Sequence, residues 1–548
     1  MIDWINHLIV APIIIPLVAG ASMMLIDERQ RAVKAAIGMA SILSLIAVAT
    51  TLLYLADHPT GDAAAAHVGV YRIGNWPAPF GIVLVVDRLS ALMVLLTSVL
   101  ALAAAVFALA RWHRAGPYFH ALLQFLLMGL NGAFLTGDLF NLFVFFELLL
   151  VASYGLALHG SGLARVKAGL HYIAVNLVAS LLFLIGVSLI YGVTGTLNMA
   201  DLAVRIPLIP AENRALFEIG AAVLGTAFLT KAGMWPLSFW LPTTYGAAAP
   251  PVAAMFAIMS KVGIYVVLRL SLLLFGAESG ASAQFGREWL LFGGMATIVF
   301  GTIGVLASQD LRRLAGFSVL VSSGTILTAI GIGGIGVISG ALFYLLSSTL
   351  AIAAFFLLIE LVERGREAGA DVLAVTIEAY GGDGEEEAED AEEGIAVPAI
   401  LAVLGVSFLG CALLLAGLPP LSGFVAKFIL LSALLNPSGL EADTAIAAVS
   451  WAFLILLIAS GLTTFIGMIR AGMRVFWTPF ERTQPRVRII EFVPVAFLLL
   501  GSLGLTIAAG PVLRYTEATA QSIYASPDYI RSVLTPSAGQ RPIDGSGS

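Results

Sequence analysis

Charge, cysteine and histidine, from which most catalytic and metal sites are built, are scarce in this sequence. Only 11% of the 548 residues are charged, against about 25% in a typical soluble domain. Cys411 is the single cysteine, which excludes an intrachain disulfide and a cysteine-ligated metal centre. The seven histidines all fall in predicted loops or near predicted helix ends. Because no metal-ligand cluster, phosphate loop, nucleotide fingerprint or catalytic triad occurs in a suitable context, we expect no metal, no cofactor and no covalent catalysis.

Long apolar runs take the place of charge. Hydrophobic residues make up 59% of the chain, and the mean hydropathy is +0.98. The runs are continuous rather than alternating, which indicates spanning helices and excludes a membrane β-barrel. We therefore predict an all-α polytopic membrane protein with about fourteen transmembrane helices. The predicted spans are 5–26, 35–56, 86–110, 117–136, 138–158, 168–191, 216–241, 252–274, 289–307, 314–333, 338–362, 397–432, 449–472 and 490–511.

The distribution of arginine and lysine predicts the orientation of these spans. An even number of spans places both termini on one side of the membrane. If that side is the outside, the inward loops carry roughly twice as many arginines and lysines as the outward loops, as the positive-inside rule requires. The sequence therefore predicts a multi-pass protein of a bacterial cytoplasmic (inner) membrane, with both termini on the outer, periplasmic face.

Two segments depart from the helical pattern. Residues 67–86 alternate in polarity and contain glycine and proline, which predicts a short β-hairpin on the outer face. Residues 363–394 form a predicted inward, cytoplasmic loop that ends in a run of acids. Such a run is more often a solvated, disordered segment than a docking site for a partner, and both interpretations stay open.

Two short segments, GMWPLSFW (233–240) and GLPPLSGF (417–424), share Gly, Pro, Leu and Ser at matching positions. Each interrupts an apolar run, at Pro236 in the first and at Pro419 and Pro420 in the second, because proline cannot donate to the helix ladder. Backbone left unpaired at membrane depth is tolerated only inside the protein or beside a water-filled cavity. Two broken spans of opposite direction are typical of inverted transporter halves. Ordinary proline kinks are the alternative.

Four charged side chains, Glu147, Lys231, Lys261 and Lys427, lie inside predicted spans. Each costs about 2.5–3.5 kcal/mol near the centre of a spanning helix, so four of complementary sign indicate a function. We predict a buried proton relay, because burial favours the neutral form of a lysine and a nearby carboxylate favours its charged form. Glu147 and Lys231 would exchange protons as the pair opens and closes. A static salt bridge between two helices is the alternative.

Polar neighbours of these charges are candidates for a water wire. Each alone is more often a helix-packing contact than a member of a relay. Asp138, at the outer end of the fifth span, is either a carboxylate where ions enter or an N-terminal cap, and the cap is favoured. The candidates in the wire are Thr230, Ser238, Ser260, Ser422 and also Asn176.

The residues around these charges resemble a known family, the antiporter-like subunits shared by respiratory complex I, membrane-bound hydrogenases and multisubunit Mrp-type cation/proton antiporters. The resemblance covers essentially the whole chain. It implies two inverted five-helix repeats, helices 4–8 and 9–13, broken in helices 7 and 12. It also implies that Glu147 and Lys231 are the helix 5/helix 7 pair, with Lys261 the central bridging lysine and Lys427 the terminal lysine of helix 12. The matching segments are FFELLLVASYGL (145–156), FLTKAGMWPLSFWLPTTYGAAAPPVAAMFAIMSKVGIYVVLR (228–269), SQDLRRLAGFS (308–318) and GLPPLSGFVAKFIL (417–430).

On this basis the chain divides into four predicted parts. Residues 1–115 hold helices 1–3 and the hairpin. Residues 116–275 form the first antiporter repeat. Residues 276–475 form the second repeat with the acidic cytoplasmic loop, and residues 476–548 hold helix 14 and a polar C-terminal tail.

Helices 10 and 11 depart from the family pattern, in which a histidine or lysine is frequent. Helix 10 reads GFSVLVSSG (316–324), and helix 11 has no ionisable group before Glu360. The route from Lys261 to Lys427 would therefore depend on water and serines.

Chain length, Lys427 and the acidic loop make the sequence most similar to the D subunits of Mrp-type antiporters. The resemblance implies a secondary-transporter subunit, not an enzyme, that exports Na⁺ or K⁺ in exchange for protons. It implies the A, B, C, E, F and G subunits as partners, and no nucleic acid. No dense carboxylate cage for Na⁺ is visible, so we expect this subunit chiefly to carry protons. The alternatives are a proton-pumping membrane subunit of a complex I-like NADH:quinone oxidoreductase or membrane-bound hydrogenase, and a non-conducting scaffold.

Overall fold

The computed structural model describes residues 7–58, 68–379, 399–436, 446–476 and 487–535. Helices dominate these ranges, and a single two-stranded sheet is present among the residues described. The helices are α1 (Ala11–Leu25), α2 (Arg31–Asp57), α3 (Arg88–Ala110), α4 (Phe119–Leu135), α5 (Leu139–Ala157), α6 (Leu163–Thr194), α7 (Met199–Arg205), α8 (Ala211–Ala232), α9 (Leu241–Ala247), α10 (Pro250–Leu274), α11 (Arg287–Ala307), α12 (Leu311–Ile332), α13 (Ile335–Ala379), α14 (Ala399–Ala416), α15 (Ser422–Leu435), α16 (Ala448–Phe476), α17 (Ile489–Ile507), α18 (Ala509–Tyr524) and α19 (Ser526–Leu534).

Helix length and composition agree with the predicted membrane topology. In the described part of the chain, twelve helices are long and apolar enough to cross a membrane, and α1, α4 and α15 are shorter apolar helices. α14 and α15 together occupy the predicted broken span 12, and α8 occupies most of predicted span 7. The all-α polytopic fold is confirmed, and this arrangement is compatible with fourteen spans.

Polar residues immediately before several helices determine where those helices begin. Asp87 and Ser90 form a reciprocal capping box at the start of α3. Asp138 accepts the backbone N–H groups of residues 140 and 141 at the start of α5, and Asn198 caps α7 in the same way. A side-chain oxygen at this position satisfies donors that the first helical turn leaves unpaired.

The core of the bundle is built around three helices. In the spanning parts of α10, α12 and α13 nearly all described residues are buried, whereas in the spanning parts of α6, α16 and α17 fewer than half are buried. Helices that are apolar on every side belong in the interior of a bundle. Lys261 on α10 therefore lies at the centre of the bundle.

An antiparallel β-hairpin lies where the alternating segment predicts one. β1 (Gly69–Arg72) pairs with β2 (Val83–Val86), with Gly69 opposite Val86 and Arg72 opposite Val83. The β2 side chains are all buried. The Arg72 guanidinium donates to the carbonyls of Val533 and Thr535, so the hairpin is fixed against the C-terminal helix α19.

The C-terminal segment differs from the predicted polar tail. α18 and α19 follow the last span and pack against the bundle instead of extending away from it. Thr516 shares a hydrogen bond of 3.1 Å with Ser339, Tyr524 accepts the backbone N–H of Gly334 at 2.7 Å, and Tyr529 is buried. Residues 536–548 lie outside the described ranges.

The first part of the predicted acidic loop is helical instead. α13 continues to Ala379, so residues 363–379 are helical, whereas the sequence predicts a loop from residue 363. The acidic run itself, within 380–394, lies outside the described residues.

Candidate functional site

The two sequence breaks interrupt two helices at equivalent places. α8 ends at Ala232 and is followed by Gly233 with φ of +74°. α14 ends at Ala416 and is followed by Gly417 with φ of +75°. A left-handed residue after the last helical turn is a common helix terminus that favours glycine. Pro236, Pro419 and Pro420 lie in the non-helical segments that follow. Each half-helix therefore ends with its carbonyl groups inside the protein.

Lys231 lies in the last turn of α8, beside the first break. Its side chain is 8% exposed, and its Nζ atom has no hydrogen-bond partner within the described ranges. The ammonium lies 5.6 Å from the centre of the Phe146 ring, a distance at which the ring face attracts a cation. The carbonyl end of α8 adds a favourable dipole. Lys231 is thus held by weak, non-directional interactions.

Glu147 faces this lysine from α5 without binding it. The Glu147 carboxylate lies near enough to act electrostatically on Lys231, yet among the described residues the two form no ion pair within 4.0 Å. Glu147 Oε1 is buried and has no partner in that part of the chain either. In this structure Glu147 and Lys231 are therefore not joined by a salt bridge.

Lys261 is fully buried and binds a serine. Its side chain is 0% exposed, and Nζ donates to Ser322 Oγ on α12 at 2.8 Å. Ser322 Oγ lies 2.9 Å from Ser348 Oγ on α13. Three helices of the core thus join in one chain of hydrogen bonds that begins at an ammonium group.

A second hydroxyl pair continues toward Lys427. Ser347, beside Ser348 on α13, shares a hydrogen bond of 2.8 Å with Ser422, the first residue of α15. Between the two pairs lies a cavity of about 20 Å³, and one water molecule needs roughly 10–15 Å³ on this measure. The polar residues that line the cavity are Ser318, Ser322, Tyr344, Ser347, Ser348 and Thr464.

Lys427 lies on α15 beyond this pair and is held at the second break. Its side chain is 8% exposed, and Nζ donates to the carbonyl of Ala416, the last residue of α14, at 2.8 Å. Gly461 on α16 leaves the space beside this contact, since a Cβ there would lie 2.9 Å from Nζ. Helix C-termini of this kind favour cations in broken transporter helices.

Of the remaining predicted site residues, some form hydrogen bonds and one does not. Asp138 caps α5, with backbone donors at 2.8 and 2.9 Å, which is the role that the sequence favours. Thr230 and Ser260 donate to carbonyls of their own helices. Ser238 Oγ is buried with no partner in the described ranges. Of the predicted water-wire side chains, Ser422 is the one that the structure joins to other hydroxyls along the route to Lys427.

Sequence reasoning did not identify Ser322, Ser347 and Ser348 as site residues. A signal exists, because each belongs to a pair of adjacent serines within a long apolar run. A single serine in such a span is commonly a packing residue. Two adjacent serines in each of two neighbouring spans are less common, and this pattern could have indicated a site.

Glu360, the ionisable group of the eleventh span, belongs to a different cluster. Its carboxylate accepts from Trp112 Nε1 at 2.6 Å and forms ion pairs with Arg111 and Arg364. Arg364 in turn binds Glu491 on α17 through two hydrogen bonds. These contacts join α13 to α3 and α17 at the arginine-rich face and fully satisfy Glu360 without reaching the lysines.

Comparisons with known proteins agree with the geometry. The sequence model of the NADH:quinone oxidoreductase/Mrp antiporter transmembrane family matches residues 136–455. A protein of Rhizobium meliloti, named as the probable D subunit of a K(+)/H(+) antiporter, is 60% identical, over 99% of this chain and 100% of that protein. The D subunit of the Na(+)/H(+) antiporter of Alkalihalophilus pseudofirmus is 33% identical, over 96% and 99%.

Solved structures show the same architecture. A chain of the Mrp complex from Dietzia sp. matches with a TM-score of 0.79 and 26% identity, over 97% of this chain and 100% of that one. A chain of an archaeal membrane-bound sulfane sulfur reductase shares the fold, with a TM-score of 0.77 and 21% identity, over 97% and 99%. The chain therefore belongs to the NADH:quinone oxidoreductase/Mrp antiporter family of membrane subunits, and within it to the D subunits of the Mrp-type antiporters.

Proposed function

We propose that this chain is the proton-conducting subunit of a multisubunit monovalent cation/proton antiporter. The proton would pass Glu147, Lys231, Lys261 and Lys427 in order. The proposed setting is a bacterial cytoplasmic membrane with both termini outside. The proposed partners are the A, B, C, E, F and G subunits of an Mrp-type complex.

The observation that carries the proposal is the line of hydroxyl groups between two buried lysines. Lys261 contacts Ser322, Ser322 contacts Ser348, and Ser347 contacts Ser422 at the start of the helix that bears Lys427. Hydroxyl groups both donate and accept hydrogen bonds, so each can take a proton on one side and release one on the other. A water molecule in the intervening cavity would complete the line.

The same geometry favours the proton over the metal cation on this route. The cavity between the serine pairs has a volume of about 20 Å³, which is room for one water molecule and not for a hydrated cation. The cation is therefore proposed to cross at a neighbouring subunit, with the two movements coupled through the lysines. The name of the 60% identical relative favours K⁺ as that cation, and Na⁺ is the alternative.

Lys231→Ala in the whole complex tests this function. Everted membrane vesicles are given a pH gradient, and K⁺ or Na⁺ is added while the gradient is followed by a fluorescent probe. Wild type should collapse the gradient on addition of K⁺, and Lys231→Ala should not. Because the Lys231 ammonium makes no hydrogen bond in the described ranges, its removal should leave assembly intact.

Lys167→Ala is the matched control, because Lys167 is an exposed lysine near the start of α6. It should retain the wild-type response. A wild-type complex that responds to neither cation would contradict antiport. A response that survives Lys231→Ala would contradict the relay and leave a scaffold.

A further inference from the structure

Tyr154, on α5, has a buried hydroxyl group that no feature described so far uses. The hydroxyl oxygen is shielded from solvent and has no hydrogen-bond partner in the part of the chain that the structure describes. The Tyr154 ring packs edge-on against Tyr172, with ring centres 5.4 Å apart, so a phenylalanine would fill the position equally well. An unsatisfied buried hydroxyl is unfavourable for stability and requires an explanation.

Helix geometry places this hydroxyl on the same face of α5 as Glu147. Glu147 and Tyr154 are two helical turns apart on one face, about 10 Å along the axis. Side chains in a helix tilt toward its N-terminus, which directs the Tyr154 hydroxyl back toward Glu147. The hydroxyl lies in the electrostatic field of that carboxylate.

Three buried polar atoms lack a hydrogen-bond partner in the described ranges: Glu147 Oε1, Lys231 Nζ and Tyr154 Oη. Buried polar atoms of this kind are usually satisfied by ordered water. The neighbouring hydroxyls are different, because Ser153 lies 2.7 Å from Tyr172 Oη and donates to the carbonyl of Leu150. Tyr172 and Ser153 are satisfied structurally, and Tyr154 is not.

We propose that Tyr154 is a proton-path residue between Glu147 and the C-terminal end of α5, an inference that rests on the proposed proton relay. The phenol oxygen would accept a proton from a water molecule on one side and release its own proton to a water molecule on the side of Glu147. One O–H bond forms as the other breaks, so the tyrosine keeps its charge. Glu147 then receives the proton and can exchange it with Lys231.

Tyr154→Phe in the whole complex tests this assignment, with Tyr172→Phe as the matched control and Lys231→Ala as the reference for the relay. The measurements are the cation-dependent rate of proton movement in everted vesicles in H₂O and D₂O, and the thermal midpoint of the purified complex. Tyr154→Phe should lower the rate by about tenfold or more, because positioned proton-transfer groups contribute at least that much. Its solvent isotope effect should rise, and its thermal midpoint should stay the same or increase. Tyr172→Phe should lower the midpoint, because it loses the bond to Ser153, and should keep most of the rate.

The outcomes separate this inference from the function on which it rests. A wild type without antiport, or an active Lys231→Ala, refutes the proposed relay and this inference with it. Antiport that is present in wild type, absent in Lys231→Ala and undiminished in Tyr154→Phe refutes the Tyr154 assignment alone. A slowed Tyr154→Phe with a lowered thermal midpoint and an unchanged isotope effect also refutes it, because the hydroxyl would then be structural.

Discussion

Ser322→Ala is the most direct test of the hydroxyl line in the second half of the proposed relay. Lys261 is 0% exposed and Ser322 is 1% exposed, so the serine hydroxyl is shielded with the ammonium that it binds at 2.8 Å. A hydrogen bond to a charged group contributes about 1.5–3 kcal/mol. If the proton passes while Lys261 is charged, loss of that bond raises the barrier by a similar amount, which slows transport about tenfold to hundredfold.

The neighbouring residue provides the matched control. Ser323 is also buried, at 0% exposure, and its hydroxyl has no hydrogen-bond partner in the described ranges. Ser323→Ala removes the same atom from the same helix without breaking a contact to Lys261, so transport should stay near the wild-type rate. Ser322→Thr keeps a hydroxyl and should retain more activity than Ser322→Ala.

The assay is the initial rate of cation-dependent proton movement in everted vesicles, normalised to the amount of assembled complex. Rates near that of the wild type for both Ser322→Ala and Ser323→Ala would refute the reasoning, because the bonded hydroxyl would then matter no more than the unbonded one. Equal losses in both variants would refute it as well, since the effect would come from packing in α12 and not from the Lys261 contact.

Three further predictions concern contacts outside this line. Arg269→Ala leaves Asp87 buried without its ion-pair partner and should destabilise the complex by about 3–5 kcal/mol, measured as a lower thermal midpoint. Burial alone would raise the pKa of Asp87, but the interaction with Arg269 lowers it overall. The stabilisation by this pair is therefore complete at neutral pH and should be lost as the pH falls below about 4, the ordinary aspartate pKa. A series of thermal midpoints measured at different pH values tests this. Gly461→Ala places a Cβ 2.6 Å from the Ala416 carbonyl oxygen and 2.9 Å from Lys427 Nζ, so it should slow transport about tenfold by disturbing the contact between these two groups. Gly504→Ala, with no atom within 4 Å, should not.

Hydropathy predicts the spans well and the C-terminal helices poorly. A spanning helix must be apolar along its whole length, so its sequence marks it directly. α18 and α19 are not among the described helices that are long and apolar enough to cross a membrane. They contact the bundle through scattered residues such as Thr516, Ile523 and Tyr529. Scattered contact residues in an otherwise polar sequence cannot be told from a polar tail unless the surface of the bundle that they cover is known.

The sequence predicts that the route from Lys261 to Lys427 depends on serines but does not identify which ones, for a different physical reason. The described parts of α12 and α13 are buried on almost every side, so their sequences do not determine which side faces which neighbour. Ser422 could be predicted because it follows a proline break, where unpaired backbone groups require polar hydrogen-bond partners. Ser322 and Ser348 meet only because the packed helices have one particular rotation.

The two breaks place lysines from unequal sequence positions in comparable surroundings. Lys231 precedes its glycine break and Lys427 follows its own, yet both lie at the carbonyl end of the first half-helix. The dipole of that end favours an ammonium from either side of the break, so the position of the charge in space is what the two halves share. The difference between them is in bonding: Lys427 is anchored to Ala416, whereas Lys231 makes no hydrogen bond in the described ranges. On the proposed route, Lys231 is therefore the lysine free to move in response to Glu147, and Lys427 is the one that must exchange a carbonyl contact before it can pass its proton on.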